Sequence, residues 1–168
     1  GIVLSRWWKR FFFFYKIKST IYGLNIGISA VTLGIHLSFG RCLMRVSALE
    51  LSKIAGALRI QVLKMITKAQ NGHPGGSLSA IDIILELYLN EMRHDPKNPR
   101  WEERDRFVLS KGHGVPALYA VLAHCGYFSP ALLPTLRELG SVLQGHPANR
   151  LLDSVEASTG SLGQGLSV

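Results

Sequence analysis

The residues from about 44 onward predict an α/β arrangement, and three observations predict it. Apolar residues recur at helical spacing over 47–70 and again from 79 toward 90. The short apolar stretch "RFVLS", 106–110, breaks that period and runs into a glycine turn. Helical spacing then resumes after Pro116. A brief apolar run between amphipathic helices is how a buried parallel strand reads. With 168 residues, 47% hydrophobic and 18% charged, the chain has material for one ordinary core and is not of disordered composition.

Residues 1–43 are of another kind. They carry Arg6, Lys9, Arg10, Lys16, Lys18 and Arg41 and no acidic residue, so most of the net charge of +8 belongs to them. From Met44 onward basic and acidic residues nearly balance, and no basic stripe suggests nucleic acid. "RWWKRFFFFYKIK" mixes aromatics with cations, and Thr20 to Gly40 has no formal charge. That run approaches the roughly 20 apolar residues of a membrane span. Asn25, His36 and its glycines make it only moderately apolar. Three readings stay open for 1–43: a membrane anchor, an interfacial or partner-binding segment, and upstream sequence without a role, Met44 being the start. Cys42 and Cys125 form neither a disulfide framework nor a CxxC pair, which suits a reducing, cytoplasmic setting.

The elements follow in order. Ser47 and Glu50 form a capping box for a helix whose buried stripe is Leu51, Ile54, Ala55, Leu58, Val62, Met65 and Ile66, ending at Asn71-Gly72. Ser79 and Asp82 form a second box, opening a helix with Ile81, Ile84, Leu85, Tyr88 and Leu89 inside; Ile83 and Leu87 widen its stripe, so it is expected to be covered on most sides. "HDPKNPRWEERD" is a polar loop before the strand at 106–110. Pro116 begins a helix that Gly126 terminates near Cys125, and Ser129-Pro130 opens a short one running toward Gly140. The last residues, "STGSLGQGLSV", are a glycine-rich loop opening a helix that is not completed, as in a truncated domain.

Three of the six histidines share a setting. His73 stands in "NGHPGG", His113 in "SKGHG" and His146 in "QGHPA", each on a tight glycine turn at the edge of a regular element. Glycine permits close approaches that a side chain blocks, and imidazole changes charge near neutral pH, so a cluster suits proton movement among hydroxyls and carbonyls. A solvated loop histidine is the plain alternative for any one of them. His36, His94 and His124 read as structural or surface residues, and His124 beside Cys125 reads as packing before it reads as a metal pair. Gly160 to Gly165 lacks dinucleotide-fingerprint spacing; it can offer close backbone approach to a flat or anionic ligand, and an ordinary loop is the equal alternative.

Taken in order, "GHPGGSLSAIDIILELY", "RDRFVLSKGHGVPALYAVLA", "LQGHPA" and "STGSLGQGLSV" resemble the start of transketolase, above all the separately encoded N-terminal subunit of many prokaryotes, over about residues 45–168. The resemblance implies a thiamine diphosphate-binding α/β domain at 44–168, a parallel sheet flanked by helices, with only the first strand present. It implies transfer of a two-carbon ketol unit from a ketose phosphate to an aldose phosphate, the coenzyme serving as electron sink. His73 would transfer protons and orient substrate. His113 would lie beside both the diphosphate and the substrate, as a catalytic and cofactor-binding residue, and His146 at the donor's terminal hydroxyl and carbonyl. Gly160 and Leu162 would lie along the cofactor. No role follows for Lys111.

The Mg²⁺ ligands of the family, an aspartate in "GDG" and a later asparagine, are expected beyond residue 168. The pyrimidine-binding part is expected from a separate C-terminal subunit or domain, the pairs assembling as dimers, and the present chain alone is expected to be inactive. The alternatives are another thiamine diphosphate enzyme, such as deoxyxylulose-phosphate synthase, or a membrane-tethered module without catalysis.

Overall fold

A computed structural model describes residues 45–161; the expectations for 1–43 and for Leu162 lie outside these described residues. Helix α1 spans Ala48–Ala69. The Ser47 hydroxyl accepts from the Glu50 amide at 3.2 Å, satisfying one of the orphan donors of the first turn. Ala55, Leu58, Val62 and Met65 are buried at helical spacing, with Leu51, Ile54 and Ile66 packed at the margins. The helix ends where Gln70 turns left-handed at φ 51 and its amide bonds to the Thr67 carbonyl. Ser47→Ala is expected to cost about 1 kcal/mol of stability, read as a lower urea midpoint at unchanged slope.

The second helical region departs from expectation. Helix α2, Pro74–Leu78, begins directly after His73, before the glycines have passed, and α3 covers Ile81–Glu86. Proline fits the first helical position because its missing N–H is not needed there. Ser79 is therefore no N-cap: its hydroxyl donates to the Gly76 carbonyl at 3.2 Å, and no side chain caps α3. Asp82 instead pairs with Arg59 on α1. Ile81, Ile84, Leu85 and Tyr88 are buried, but Ile83 is 57% exposed, so α3 is covered on one face and not on most sides. A π-helical turn at Leu87–Glu91 finishes the segment.

Helix α4, Val115–His124, is the centre of the core, buried from Val115 through Ala123 and touching both α1 and α3. Such an all-round apolar helix has to be interior. Cys125 caps it, Gly126 follows at φ 88, and burial pushes the Cys125 thiol up to about 11. A 3₁₀ turn at Pro130–Thr135 comes next, shorter than the helix expected to reach Gly140, because Pro134 lies inside it and Arg137 turns left-handed at φ 63. His94 is structural: its Nε2 meets the Tyr88 carbonyl at 2.7 Å, and its Nδ1 meets the Tyr127 hydroxyl at 3.0 Å.

The parallel sheet is not found among the described residues, which are helical or irregular. Residues 106–109 do alternate as a strand would, with Phe107 and Leu109 inward and Arg106 and Val108 outward. A strand is made by its neighbour, however, and no described segment supplies a ladder. What holds this stretch is side-chain bonding. The Thr159 hydroxyl donates to the Leu109 carbonyl, and buried Arg104 forks onto Glu156. Among the described residues no helix is long and apolar enough to cross a membrane.

Candidate active site

Three separate pieces of chain deliver the histidines. His73 caps α2 with a non-helical backbone (φ −121, ψ 85), and its carbonyl accepts from the Ser77 amide, closing the first turn. His113 sits in a 3₁₀ turn, Gly112–Gly114, that leads straight into α4. His146 lies on an irregular loop whose carbonyl at that residue accepts from the hydroxyl of the fully buried Tyr119, tying the loop to α4.

The rings converge. His73 and His113 have centroids 4.9 Å apart at 83°, and His113 and His146 are 4.5 Å apart at 88°. His113 is the middle ring, in edge contact with both others. Among the described residues no group of three His, Cys, Asp or Glu side chains is placed to hold a metal ion, His124 and Cys125 included.

Glycine makes the convergence possible at two points. A Cβ on Gly112 would fall 2.7 Å from the Gly160 nitrogen and 2.8 Å from the Thr159 carbonyl carbon, so two backbones cross where only a hydrogen fits. Gly160 itself has φ +135, and a Cβ there would strike the His146 ring at 2.5 Å. Gly160 thus supports His146 from below. At Gly75 and Gly76 the space where a side chain would stand is open. Lys111 is exposed and donates to the Ser79 hydroxyl at 3.1 Å.

Two contributors carry no sequence signal of their own. Thr159 pins the 158–160 stretch to Leu109, and Arg137 reaches the Gly145 carbonyl beside His146. Ser77, fully buried under the same turn, has a hydroxyl without a partner among the described residues. A groove of about 420 Å³ along α1, lined by Ile60, Leu63, Lys64, Thr67 and Lys68, includes none of these residues.

The His146 imidazole is held below its usual range, chiefly by burial and then by the charges of His113, Arg137 and His73. Unfolded, the ring titrates near its ordinary 6.5, so between that value and the folded one the unfolded chain binds more protons. Stability should therefore fall as pH drops through that window and level off below it. His146→Gln should flatten this part of the profile, checked by urea unfolding at about pH 7.5 and about pH 5.5.

The profile of the family described as transketolase, thiamine diphosphate binding domain, matches residues 51–168. The chain belongs to this transketolase family. Over 119 residues it is 49% identical to a 6-deoxy-6-sulfo-D-fructose transketolase subunit from a Clostridium species, covering 71% of this chain and 43% of that protein. Over 125 residues it is 43% identical to an apulose-4-phosphate transketolase subunit from Phocaeicola vulgatus, covering 74% of this chain and 43% of that one. The crystal structure of transketolase from Campylobacter jejuni superposes with a TM-score of 0.65 at 38% identity, over 73% of this chain and 19% of that one. This transketolase-family chain thus spans less than half the length of these relatives.

The residues fit the coenzyme that the family description names. The glycine crossing leaves the His113 turn and the 158–160 stretch in backbone contact, the Gly75–Gly76 face is open, and the facing side chains are imidazoles and not carboxylates. Neutral or cationic donors around an open glycine face suit an anionic diphosphate and a hydroxylated substrate.

Proposed function

We propose that this chain supplies the thiamine diphosphate-binding side of a transketolase, which transfers a two-carbon ketol unit between sugars. The single observation that carries the reading is the contact of His113 with both His73 and His146, in a chain of that family. Bound thiamine diphosphate would supply the electron sink for breaking a carbon–carbon bond beside a carbonyl.

The chain's own residues would do the rest. A ring nitrogen of His146, unprotonated at neutral pH, accepts a hydrogen bond from the donor's hydroxyl near its carbonyl. His73, the exposed ring, takes up and returns the proton of the reacting hydroxyl. His113, between them, lies beside the diphosphate and keeps the outer rings apart by its own width. Gly160 would bring backbone against the cofactor, and the resemblance to transketolase implies a cofactor contact for Leu162 as well. The sugars for which the two subunit relatives are named, a sulfo-sugar and a sugar phosphate, favour a substrate with an anionic group. Both being called subunits favours a separate partner chain completing the site; assembly of such pairs as dimers and Mg²⁺ held by residues beyond 168 are what the family resemblance implies.

The test is ketol transfer by the chain assembled with its partner subunit, given a ketose phosphate and an aldose phosphate. Product is expected only when thiamine diphosphate and Mg²⁺ are present. Turnover that persists after both have been removed would reject the reading.

A further inference from the structure

Arg137 is the one arginine in a left-handed backbone conformation among the described residues, at φ 63. A side chain disfavours that region, so something must hold it there. The holding is local and complete. Its amide donates to the Leu143 carbonyl at 2.8 Å, the Thr135 and Ser141 hydroxyls meet at 2.7 Å, and the Leu143 amide donates to Ser141 Oγ at 3.1 Å. The loop 135–143 closes on itself. Next along the chain, Glu138 is engaged by Lys68 of α1 at 2.8 Å. Arg137 has no carboxylate partner among the described residues.

Its side chain folds over Gly145. A Cβ at 145 would collide with Arg137 Cζ, so the guanidinium lies flat on that glycine, and one Nη donates to the Gly145 carbonyl at 3.4 Å. That carbonyl belongs to the peptide whose nitrogen is His146's. On the far side of the same residue the Tyr119 hydroxyl donates to the His146 carbonyl at 3.3 Å. His146 is thus gripped at both of its peptides.

We propose that Arg137 is a positioning residue for His146, clamping the Gly145–His146 peptide and holding a permanent positive charge beside the ring. The proposal rests on the reading that His146 serves ketol transfer, because the charge matters if the ring must stay uncharged to accept a hydrogen bond. The groups that face His146 come from four places: His113 from the 3₁₀ turn, Arg137 from its loop, His73 ahead of α2, and the Tyr119 hydroxyl from α4. None is an acid. Burial, then His113, Arg137 and His73, all disfavour the imidazolium. Of the three charges, only arginine's persists at every working pH.

The test follows the His146 ring by two-dimensional ¹H–¹⁵N spectra of the full chain through a pH titration. Arg137→Met removes the charge. Gly145→Ala leaves Arg137 in place chemically, but its methyl would displace the flexible guanidinium head; the backbone at 145 is not left-handed, so folding should survive. Both are expected to move the His146 midpoint up toward the ordinary imidazole value. Arg137→Lys should keep it lower than either, and the double variant should move it no further than Arg137→Met alone. In the assembled enzyme the acid limb of kcat/KM should shift upward in step. An unmoved His146 midpoint in both folded single variants overturns the proposal. A moved midpoint in an assembly that shows no ketol transfer would instead overturn the reading of the reaction.

Discussion

Gly112→Ala should lower the stability of the domain by about 2–3 kcal/mol and abolish saturable thiamine diphosphate binding in the assembled enzyme. The methyl would meet the backbone of the facing stretch, at 2.7 Å from the Gly160 nitrogen and 2.8 Å from Gly160 Cα and the Thr159 carbonyl carbon. No flexible side chain can yield there. Either the 158–160 stretch lifts away, taking with it the floor under His146 and the Thr159 bond to Leu109, or the His113 turn moves out. The backbone at 112 is not left-handed, so the loss comes from the crossing and not from conformational strain. Gly56→Ala is the matched control: it lies inside α1 with nothing within 4 Å of a new Cβ, and alanine there should stabilise by about 0.5–1 kcal/mol. Urea unfolding of the two variants side by side checks the contrast.

His113→Ala should reduce ketol transfer by about 10²- to 10⁴-fold while leaving the melting temperature nearly unchanged. The ring is half-buried and packs on two other imidazoles, not on the apolar core, so little stability is at stake. On the proposed function, its loss removes the imidazole beside the diphosphate and also the spacer between His73 and His146. For that reason the pair variants should be less than multiplicative: His73→Ala should cost much less in a chain already lacking His113 than in one that has it. Steady-state rates of the assembled enzyme, with single and paired substitutions, decide this. Multiplicative losses would mean that the three rings act apart.

The sequence made α1 and α4 plain, because a seven-residue apolar stripe and an unbroken apolar helix between Pro116 and Gly126 each admit one period. It also made the three histidines plain, since each sits between residues that regular structure avoids. It misled at α2. Pro74-Gly75-Gly76 has the composition of a turn, yet proline is at home in the first helical position, and glycine's small size lets Gly114 approach the Gly76 carbonyl, 3.2 Å from where a Cβ would stand. Ser79 then lost its capping role to the helix that had already begun. The segment 106–110 shows a different limit: its alternation is local and legible, whereas sheet membership depends on a neighbour that local sequence does not contain. Arg137 shows a third. Nothing about an arginine after a leucine announces a left-handed backbone; the loop's own hydrogen bonds impose it.

The most direct measurement is a thiamine diphosphate titration of the assembled enzyme watched at the ring nitrogens of ¹⁵N-labelled histidine. His73, His113 and His146 should shift together along one saturable curve, while His94, locked between Tyr88 and Tyr127, stays still. If the coenzyme binds and those three resonances remain where they were, the imidazoles do not face it and the account is wrong.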